Sequence, residues 1–245
     1  MNVAIITARA GSKSIKNKNV YPVAGLPLIA YPIRAAQGAR LIERVYVSTD
    51  GEAIASVAEE LGCQIIWRPD ELGGDDVNHG DVIRHAVHEV NRMEPDLENV
   101  VVLLGNTVMV DSELIDHALH ILATRPDVDS AMSVWEAADD HPLRALEIHD
   151  GVLRPYGNAS RQVSTDRHSY AKAYYFDQGV WAFRKSCVDR YDGPSPWWWM
   201  GRRSYPIIRD WVTGRDVHSH LDIQLAEWWL SLQNDRVGNL REGTC

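Results

Sequence analysis

NVAIITARAGSKSIKNKN, at residues 2–19, joins an apolar run to a small, basic loop. Asn2 to Thr7 is predicted to be a buried strand of a parallel sheet, because it is apolar almost throughout and ends at small residues. The loop from Thr7 to Asn19 carries four cationic side chains, at Arg9, Lys13, Lys16 and Lys18. Its small residues would let backbone N–H groups approach a phosphate. From the residues alone, a solvated basic loop without a ligand is an equally good interpretation.

Strand and helix patterns alternate along the first half of the chain. Short apolar or β-branched runs predict further strands at Arg44 to Ser48, Cys63 to Trp67 and Asn99 to Leu104. Helical spacing predicts helices at Leu28 to Arg40, Gly51 to Leu61, Asp81 to Met93 and Ser112 to Thr124. This alternation predicts an α/β fold with a mostly parallel, Rossmann-like sheet and helices on both faces. Because ligands bind at the carboxyl ends of such strands, we expect one crevice at the loops after Ile6, Ser48, Trp67 and Leu104.

The pattern changes after about residue 131. Short extended stretches at Ala131 to Trp135, Ala145 to Ile148 and Gly179 to Phe183 are separated by polar loops. We interpret residues 131–190 as a small antiparallel lid or dimerisation arm within a single domain of residues 1–245. A last helix is predicted at Ile223 to Leu232.

Composition limits the classes of function. The net charge of -9 argues against nucleic-acid binding, which needs a basic face. No apolar run is long enough to span a membrane, and the N-terminus lacks the features of a signal peptide. The three scattered cysteines are typical of a reduced cytoplasmic protein. A basic loop on an acidic chain therefore indicates a small polyanionic ligand.

Several motifs, in order along the chain, resemble the acylneuraminate cytidylyltransferase family. They are Ala8-Arg9-Ala10-Gly11-Ser12-Lys13, Lys18-Asn19, Gly25-Leu26-Pro27-Leu28, Val47-Ser48-Thr49-Asp50, Arg68-Pro69-Asp70-Glu71-Leu72 and His141-Pro142-Leu143-Arg144. That family includes the CMP-sialic acid synthetases and, more distantly, the CMP-KDO synthetases. The resemblance implies the nucleotide-diphospho-sugar transferase fold, a homodimer, and Mg²⁺ as cofactor. It also implies transfer of CMP from CTP to the anomeric hydroxyl of an acidic keto sugar of the nonulosonic type, with release of pyrophosphate.

The resemblance also implies the residues of the nucleotide site. Arg9, Ser12 and Lys18 match the family's triphosphate loop, and Arg68 matches an arginine near the nucleotide. Asn78 and His79 lie where small polar residues approach the base. The full predicted nucleotide set is Ala8, Arg9, Ser12, Lys13, Lys18, Asn19, Arg68, Asn78, His79, Asn106 and Thr107, with Arg9, Lys18 and Asp216 in catalytic roles.

The chain departs from the family at the metal site. Gly105-Asn106 stands where the KDO relatives have Gly-Asp, and Asp216-Val217-His218 stands where the family has a pattern resembling Asp-Ile-Asp. The predicted metal ligands are Asp216 and His218, and the imidazole nitrogen suits Mn²⁺ better than Mg²⁺. Alternation along an extended segment would add His220 to the same face. In the alternative that we favour, Asp216 alone binds metal and the histidines orient water or phosphate.

On the acceptor side of the predicted site, the residues match the family's motifs less closely. Arg144 falls where the family places a basic residue toward the acidic sugar, and a guanidinium matches a carboxylate well. Arg161 and Gln162 resemble the family's sugar-side Arg-Gln, while Lys172 and Gln178 are further candidates. These departures keep two alternatives open. The chain could use another nucleotide or a non-sugar acid on the same fold, or it could be a non-catalytic nucleotide-binding module.

Overall fold

The computed structural model describes residues 1–74, 76–157, 164–166 and 169–242, with residues 234–242 described by their backbone alone. The strands are β1 (Asn2–Thr7), β2 (Pro22–Val23), β3 (Leu26–Pro27), β4 (Arg44–Thr49), β5 (Gln64–Trp67), β6 (Asn99–Leu104), β7 (Ser130–Glu136), β8 (Leu146–His149), β9 (Val152–Pro155), β10 (Tyr174–Arg184) and β11 (Ser204–Arg209). The α-helices are α1 (Ala30–Gly38), α2 (Glu52–Glu60), α3 (His79–Met93), α4 (Ser112–Thr124), α5 (Ser186–Arg190) and α6 (His220–Glu242).

Seven strands form the central sheet, in the order β11-β7-β10-β6-β1-β4-β5. β1 pairs in parallel with both β4 and β6, and β10 is the one antiparallel strand among these seven. The predicted mostly parallel α/β fold is therefore confirmed. Because β1 has a paired strand on each side, five of its six residues are buried. The loop that follows β1 therefore starts at an internal position along the edge of the sheet.

Helices cover both faces of this sheet, as expected from the alternation. On one face, α1, α2 and α4 pack Ile33, Ile54 and Ile115 against the alternate strand residues, such as Ile6. On the other face, α3 packs Ile83 and Val87 against the opposite set. The predicted helix bounds differ by a few residues from those observed. α3, for example, begins two residues earlier because the Asn78 side chain accepts a hydrogen bond from the N–H of Gly80 at 2.8 Å and caps the helix.

Two of the three extended stretches that we expected in the arm are strands of the central sheet. Ala131 to Trp135 lies in β7, and Gly179 to Phe183 lies in β10, which pairs with β6 and β7. The reason is burial: Val180, Ala182 and Phe183 are fully enclosed, so this segment has the burial of an internal strand. The register of β10 against β7 shifts between Phe176 and Trp181, and this irregularity interrupted the pattern in the sequence.

What remains of the predicted arm is the excursion between β7 and β10. Its described part contains an antiparallel hairpin of β8 and β9. The hairpin carries large apolar side chains that are 57–77% exposed, at Leu146, Ile148, Val152, Leu153 and, just beyond it, Tyr156. The central sheet therefore carries the core, and the hairpin adds an exposed apolar surface.

A third, smaller core joins distant parts of the chain. It contains Ile15 of the basic loop, Val108 after β6, Val217 before α6 and Ile223 within α6. α6 runs well beyond the predicted end at Leu232. Among the described residues, no helix combines the length and apolar character needed to cross a membrane.

Candidate active site

The basic loop after β1 folds back over the end of the neighbouring strand β4. The N–H of Ala8 donates to the carbonyl of Ser48 at 3.0 Å, and the N–H of Ala10 donates to Asp50 Oδ1 at 2.7 Å. Asn19 Nδ2 donates to the carbonyl of Arg9 at 2.9 Å and ties the two ends of the loop together. Gly11 has a φ of 72°, which a glycine adopts without steric cost. The loop is therefore held as a defined turn at the carboxyl end of the sheet.

A cavity of about 390 Å³ lies under this loop. Nine of the eleven predicted nucleotide residues line it, together with four more. The lining residues are Thr7, Ala8, Arg9, Ser12, Lys13, Ser14, Lys18, Asn19, Arg68, His79, Leu104, Asn106 and His218. Most of them come from the loops after β1, β5 and β6, which are three of the four loops that we expected to converge, while His79 begins α3 and His218 follows β11. The fourth expected loop, after β4, contacts the basic loop through Asp50. We call this space the nucleotide cavity.

Two lysines and two arginines among the lining residues make the nucleotide cavity cationic. Lys18 Nζ donates to the carbonyl of Val217 at 2.8 Å. Burial lowers the pKa of Lys18 below its usual range, and Arg9 acts in the same direction while Asp216 opposes it. An anionic ligand would offset that desolvation, because it would add a further opposite charge beside the partly buried ammonium.

Arg68 forms the wall opposite the loop. Its Nε donates to Ser48 Oγ at 3.1 Å and its Nη2 donates to the Ser48 carbonyl at 2.9 Å. Burial lowers the pKa of Arg68 to about 10, so the guanidinium stays charged at neutral pH. The residue is thus a fixed cation at the end of β5.

His79, the first residue of α3, contributes a neutral ring to the cavity. Its Nε2 lies 3.0 Å from Thr7 Oγ1, and its ring packs against Trp181 and Trp199. Burial, with a smaller contribution from Arg68, lowers the pKa of His79 to about 4. Asn78, which was also predicted here, instead caps α3, and Thr107 is fully buried with its Oγ1 donating to the carbonyl of Gln178 at 3.0 Å.

The predicted metal residues meet at the end of the nucleotide cavity. Asp216 Oδ2 accepts from Asn106 Nδ2 at 2.7 Å, and Asp216 Oδ1 lies 2.9 Å from His218 Nε2. His220 does not join them, because it begins α6 and packs its ring against Tyr21. Within the described ranges, no three acidic, histidine or cysteine side chains form a ready metal cluster. Of this group, the Asp216 carboxylate is the side chain that could serve as an oxygen ligand to a divalent cation.

A second cavity, of about 640 Å³, adjoins the first. His218 lines both cavities, so the Asp216–His218 pair stands at their junction. The lining residues are Trp135, Glu136, Ala138, Asp139, Asp140, Phe176, Gln178, Trp211, Gly214, Arg215, Asp216 and His218. We call this space the acceptor cavity. Its size suits a sugar acid.

Of the predicted substrate residues, Gln178 lines the acceptor cavity. Its Oε1 is buried and has no hydrogen-bond partner among the described residues, which leaves an acceptor for a ligand hydroxyl or N–H. Arg144 pairs instead with Asp139 at 3.6 Å, and Lys172 pairs with Glu136 at 2.8 Å. Neither cation lines the acceptor cavity. Arg161 and Gln162 lie outside the described residues.

Most of the residues that line the acceptor cavity were not predicted from the sequence. Trp135 and Glu136 end β7, Phe176 lies in β10, and Trp211 and Arg215 follow β11. These segments are far apart in sequence, and no local motif marks them. Arg215 was the one of these residues that the sequence could have indicated, because it directly precedes the predicted metal residue Asp216.

A buried ion pair supports the floor of the acceptor cavity. Asp177, with a fully buried side chain, lies 3.3 Å from Arg209 Nη1, and its Oδ1 accepts from the N–H of Gly179 at 2.8 Å and from Ser133 Oγ. Arg209 Nη2 donates to the carbonyl of Met109 at 2.5 Å. The adjoining N–H of Gln178 donates to the carbonyl of Gly214 at 3.1 Å. The pair therefore connects β7, β10, β11 and the loop after β6.

The three consecutive tryptophans lie outside both cavities. Trp199 is buried under α3, where a Cβ added to Gly80 would lie 2.7 Å from its ring. Trp197 packs on Phe176 with ring centroids 4.5 Å apart. Trp198 lies 5.9 Å from the ring of Tyr191. The run is thus mostly packing, and Trp197 supports one wall of the acceptor cavity.

Comparison with known protein families supports the resemblance that the sequence motifs indicated. The model of a family described as cytidylyltransferase matches residues 3–192, which is more than half of the chain. An N-acylneuraminate cytidylyltransferase of Escherichia coli O18:K1:H7 is 26% identical over 91% of this chain and 51% of its own length. A CMP-N,N'-diacetyllegionaminic acid synthase of Campylobacter jejuni is 26% identical over 94% of both chains. The chain thus spans about half of the first relative and nearly all of the second. The resemblance inferred from the motifs is confirmed.

Solved structures show the same fold. A CMP:2-keto-3-deoxy-manno-octonic acid synthetase, determined with CTP, superposes with a TM-score of 0.69 at 15% identity and covers 95% of this chain and 99% of that one. A 4-diphosphocytidyl-2C-methyl-D-erythritol synthase from Anaerococcus prevotii gives a TM-score of 0.59, again at 15% identity, and covers 94% and 96%. At these identities the likeness concerns the fold.

Proposed function

Since this chain belongs to the cytidylyltransferase family, we propose that it transfers CMP from CTP to the anomeric hydroxyl of an acidic keto sugar of the nonulosonic type. The observation that carries the proposal is the pair of adjoining cavities, one cationic and one of sugar size, that meet at Asp216 and His218. The names of the two relatives support the acceptor class. Such a junction is where an α-phosphate and an acceptor hydroxyl must meet.

In the proposed reaction, the acceptor oxygen attacks the α-phosphorus of CTP in line with the bond to the β-phosphate. A new phosphorus–oxygen bond forms to the sugar, the bond to the leaving pyrophosphate breaks, and the hydroxyl proton passes to solvent. Arg9, Lys18 and Arg68 line the cavity that holds the phosphates. Fixed cations at the place where negative charge develops are usually the largest catalytic contribution in such transfers.

We infer that Mg²⁺ is the cofactor and that Asp216 is its main protein ligand. When bound, such an ion would supply positive charge that neutralises the phosphates. Asn106 and His218 each contact one oxygen of Asp216, so they fix this carboxylate where the two cavities meet. Asp216→Asn should therefore reduce kcat by about 10²-fold or more, as loss of a preorganised charge does. Metal dependence is checked by chelation and re-addition of Mg²⁺ or Mn²⁺. Full activity after chelation, or in the variant, would contradict the metal assignment.

The decisive experiment measures pyrophosphate release by the purified chain. Each of the four nucleoside triphosphates is paired with a nonulosonic acid, with 2-keto-3-deoxy-octonic acid and with a non-sugar keto acid. We expect release that requires CTP and a nonulosonic acid. Strict use of another nucleotide, or of the non-sugar acid, would establish the alternative transferase. If CTP binds but no acceptor gives turnover, the chain is a nucleotide-binding module.

We also propose that the chain forms a homodimer through the β8–β9 hairpin. The exposed apolar side chains of this hairpin support the proposal, since several of them in one short segment are typical of a surface that another protein covers. Burying such side chains between two copies would stabilise the assembly by about 25 cal/mol for each Å² of apolar area removed from water.

A further inference from the structure

A single segment, residues 211–218, forms part of both cavities. It joins β11 to α6 and consists of turns and irregular backbone. Five of its residues line the acceptor cavity, and the last of these, His218, also lines the nucleotide cavity. We call this segment the strap. Because irregular backbone has no hydrogen-bond ladder of its own, the position of the strap depends on the residues that bind it from outside.

Asn106, which follows β6, binds two residues of the strap by three hydrogen bonds. The N–H of Val217 donates to the carbonyl of Asn106 at 2.9 Å. In the other direction, Asn106 Nδ2 donates to Asp216 Oδ2 at 2.7 Å and to the carbonyl of Val217 at 3.1 Å. Asn106 lines the nucleotide cavity and does not line the acceptor cavity. A side chain of the nucleotide cavity thus holds a segment that lines the acceptor cavity.

The side chain that makes these bonds has to be a hydrogen-bond donor. Its two partners, the Asp216 carboxylate and the Val217 carbonyl, can only accept, so the terminal atom that faces them is the amide nitrogen. Asp216 is 9% exposed, and a carboxylate with so little access to water needs donors from the protein. An aspartate at position 106 would keep the size of the side chain, but it would remove the donor and place a second negative charge beside Asp216.

Asn106 differs from the neighbouring contacts in what it ties the strap to. Arg215 lies 3.0 Å from Asp222, and the N–H of His218 donates to the same carboxylate at 3.1 Å, so both contacts join the strap to the first turn of α6. Lys18 joins it to the basic loop. Asn106 joins it to the end of β6, which has a paired strand on each side and is therefore fixed by the central sheet.

We propose that Asn106 is a positioning residue for the acceptor. By donating to Asp216 and Val217 it sets the position of the strap, and through the strap it sets the shape of the acceptor cavity. The inference rests on the proposed function for the reaction that this positioning serves. It goes further because it gives a residue of the nucleotide cavity a role in binding the other substrate.

Steady-state pyrophosphate release with CTP and N-acetylneuraminic acid tests this role. Asn106→Ala should raise the KM for the acceptor about tenfold, as loss of a contact that orients a site from outside does. The KM for CTP should change by less than about twofold, because the lining cations Arg9, Lys18 and Arg68 remain. A residue that acted on the nucleotide alone would give the opposite result. An unchanged KM for the acceptor therefore overturns the inference.

Thermal unfolding in the presence of a chelator tests the contact without turnover. Asn106→Asp should lower the Tm by about 5 °C, because the donor is lost and two carboxylates face each other. In a chain that also carries Asp216→Asn, the same change should lower the Tm by less than half as much, because the neighbouring amide can then donate to the new carboxylate. Asn91→Asp is the matched control, since it adds the same charge to α3 about 18 Å along the helix from His79.

Equal losses of Tm from Asn106→Asp with and without Asp216→Asn overturn the inference, because the side chain at position 106 would then not act through Asp216. The control variant should show the same Tm in both backgrounds as its parent. If the unmodified chain gives no pyrophosphate with any acceptor, the proposed function fails. Unequal losses of Tm would then still support Asn106 as the residue that sets the strap, and equal losses would still overturn it.

Discussion

Lys18 joins the basic loop to the C-terminal part of the site by a hydrogen bond. Its ammonium donates to the carbonyl of Val217 and lines the nucleotide cavity. Lys18→Met should reduce kcat/KM for CTP by about 10²-fold, because a preorganised charge is lost next to the phosphates. Steady-state pyrophosphate release measures this effect. Lys16→Met is the matched control, since Lys16 is an exposed cation of the same loop outside the cavity lining. Equal losses in both variants would refute a specific role for Lys18.

His79 makes the stability of the protein depend on pH. Its pKa is about 4 in the folded chain and about 6.5 in an unfolded one, so below pH 6.5 the unfolded state binds the extra proton. The stabilising effect of the neutral ring is complete above pH 6.5 and is lost as the pH falls toward 4. The free energy of unfolding should therefore drop by about 2 kcal/mol between pH 7 and pH 5 on account of His79.

Denaturant titrations at the two pH values measure this dependence. His79→Gln should remove about 2 kcal/mol of the difference between pH 7 and pH 5. His88→Gln, at a partly exposed position of the same helix, should leave the difference unchanged. A pH dependence that survives intact in His79→Gln would show that another group carries it.

β10 is the element that decides the shape of the acceptor cavity. Its irregular stretch between Phe176 and Trp181 holds Asp177 in the core, where Arg209 neutralises it. Arg209→Met would leave a buried carboxylate without its cation and should lower the free energy of unfolding by about 3–5 kcal/mol. Chemical denaturation measures this loss.

The control for Arg209 is Arg203, which precedes the same strand β11. Arg203 pairs with Asp127 at 3.0 Å on the surface, and its side chain is 66% exposed. Arg203→Met should cost at most about 1 kcal/mol, as exposed ion pairs do. If the two variants lost equal stability, the buried pair would not be the support that its contacts indicate.

Some strands were predicted well because the residues of the strand itself mark it. Others depend on contacts with residues far away in the sequence. β1 and β6 are runs of buried apolar residues, and α2 ends where Gly62 adopts a φ of 79°, so composition alone marks them. β10 combines buried apolar residues with the charged Asp177. Its partner for that charge, Arg209, lies 32 positions away, and a contact of that kind leaves no pattern within the strand.

The assembly of two chains is the prediction that belongs to the whole molecule. Ile148→Lys combined with Leu153→Lys places two charges on the hairpin surface and should convert the proposed dimer to a monomer. Size-exclusion chromatography with light scattering gives the mass before and after the change. Leu41→Lys adds a charge to a partly exposed site before β4 and serves as the control. A monomeric unmodified chain, or a dimer that survives the double change, would refute the hairpin interface.

At the scale of the whole site, the sequence predicted most of the residues that line the nucleotide cavity and few of those that line the acceptor cavity. The nucleotide residues come largely from one loop that follows one strand, so their spacing was readable. The acceptor residues come from β7, β10 and the segment after β11, which only the folded sheet brings together. Arg144 and Lys172 were expected there by position, but carboxylates nearer to them pair with them on the surface.

The bond from Lys18 to Val217 spans 199 positions of the chain. During synthesis, β1 and the basic loop leave the ribosome long before the segment that contains Val217. Contacts of such high sequence separation form late, since the chain must first pay the entropy of closing the loop between them. The nucleotide cavity is therefore completed only after the segment that contains Val217 and His218 has been made. A nascent chain that stops before this segment carries most of the family's motifs but has an incomplete nucleotide cavity.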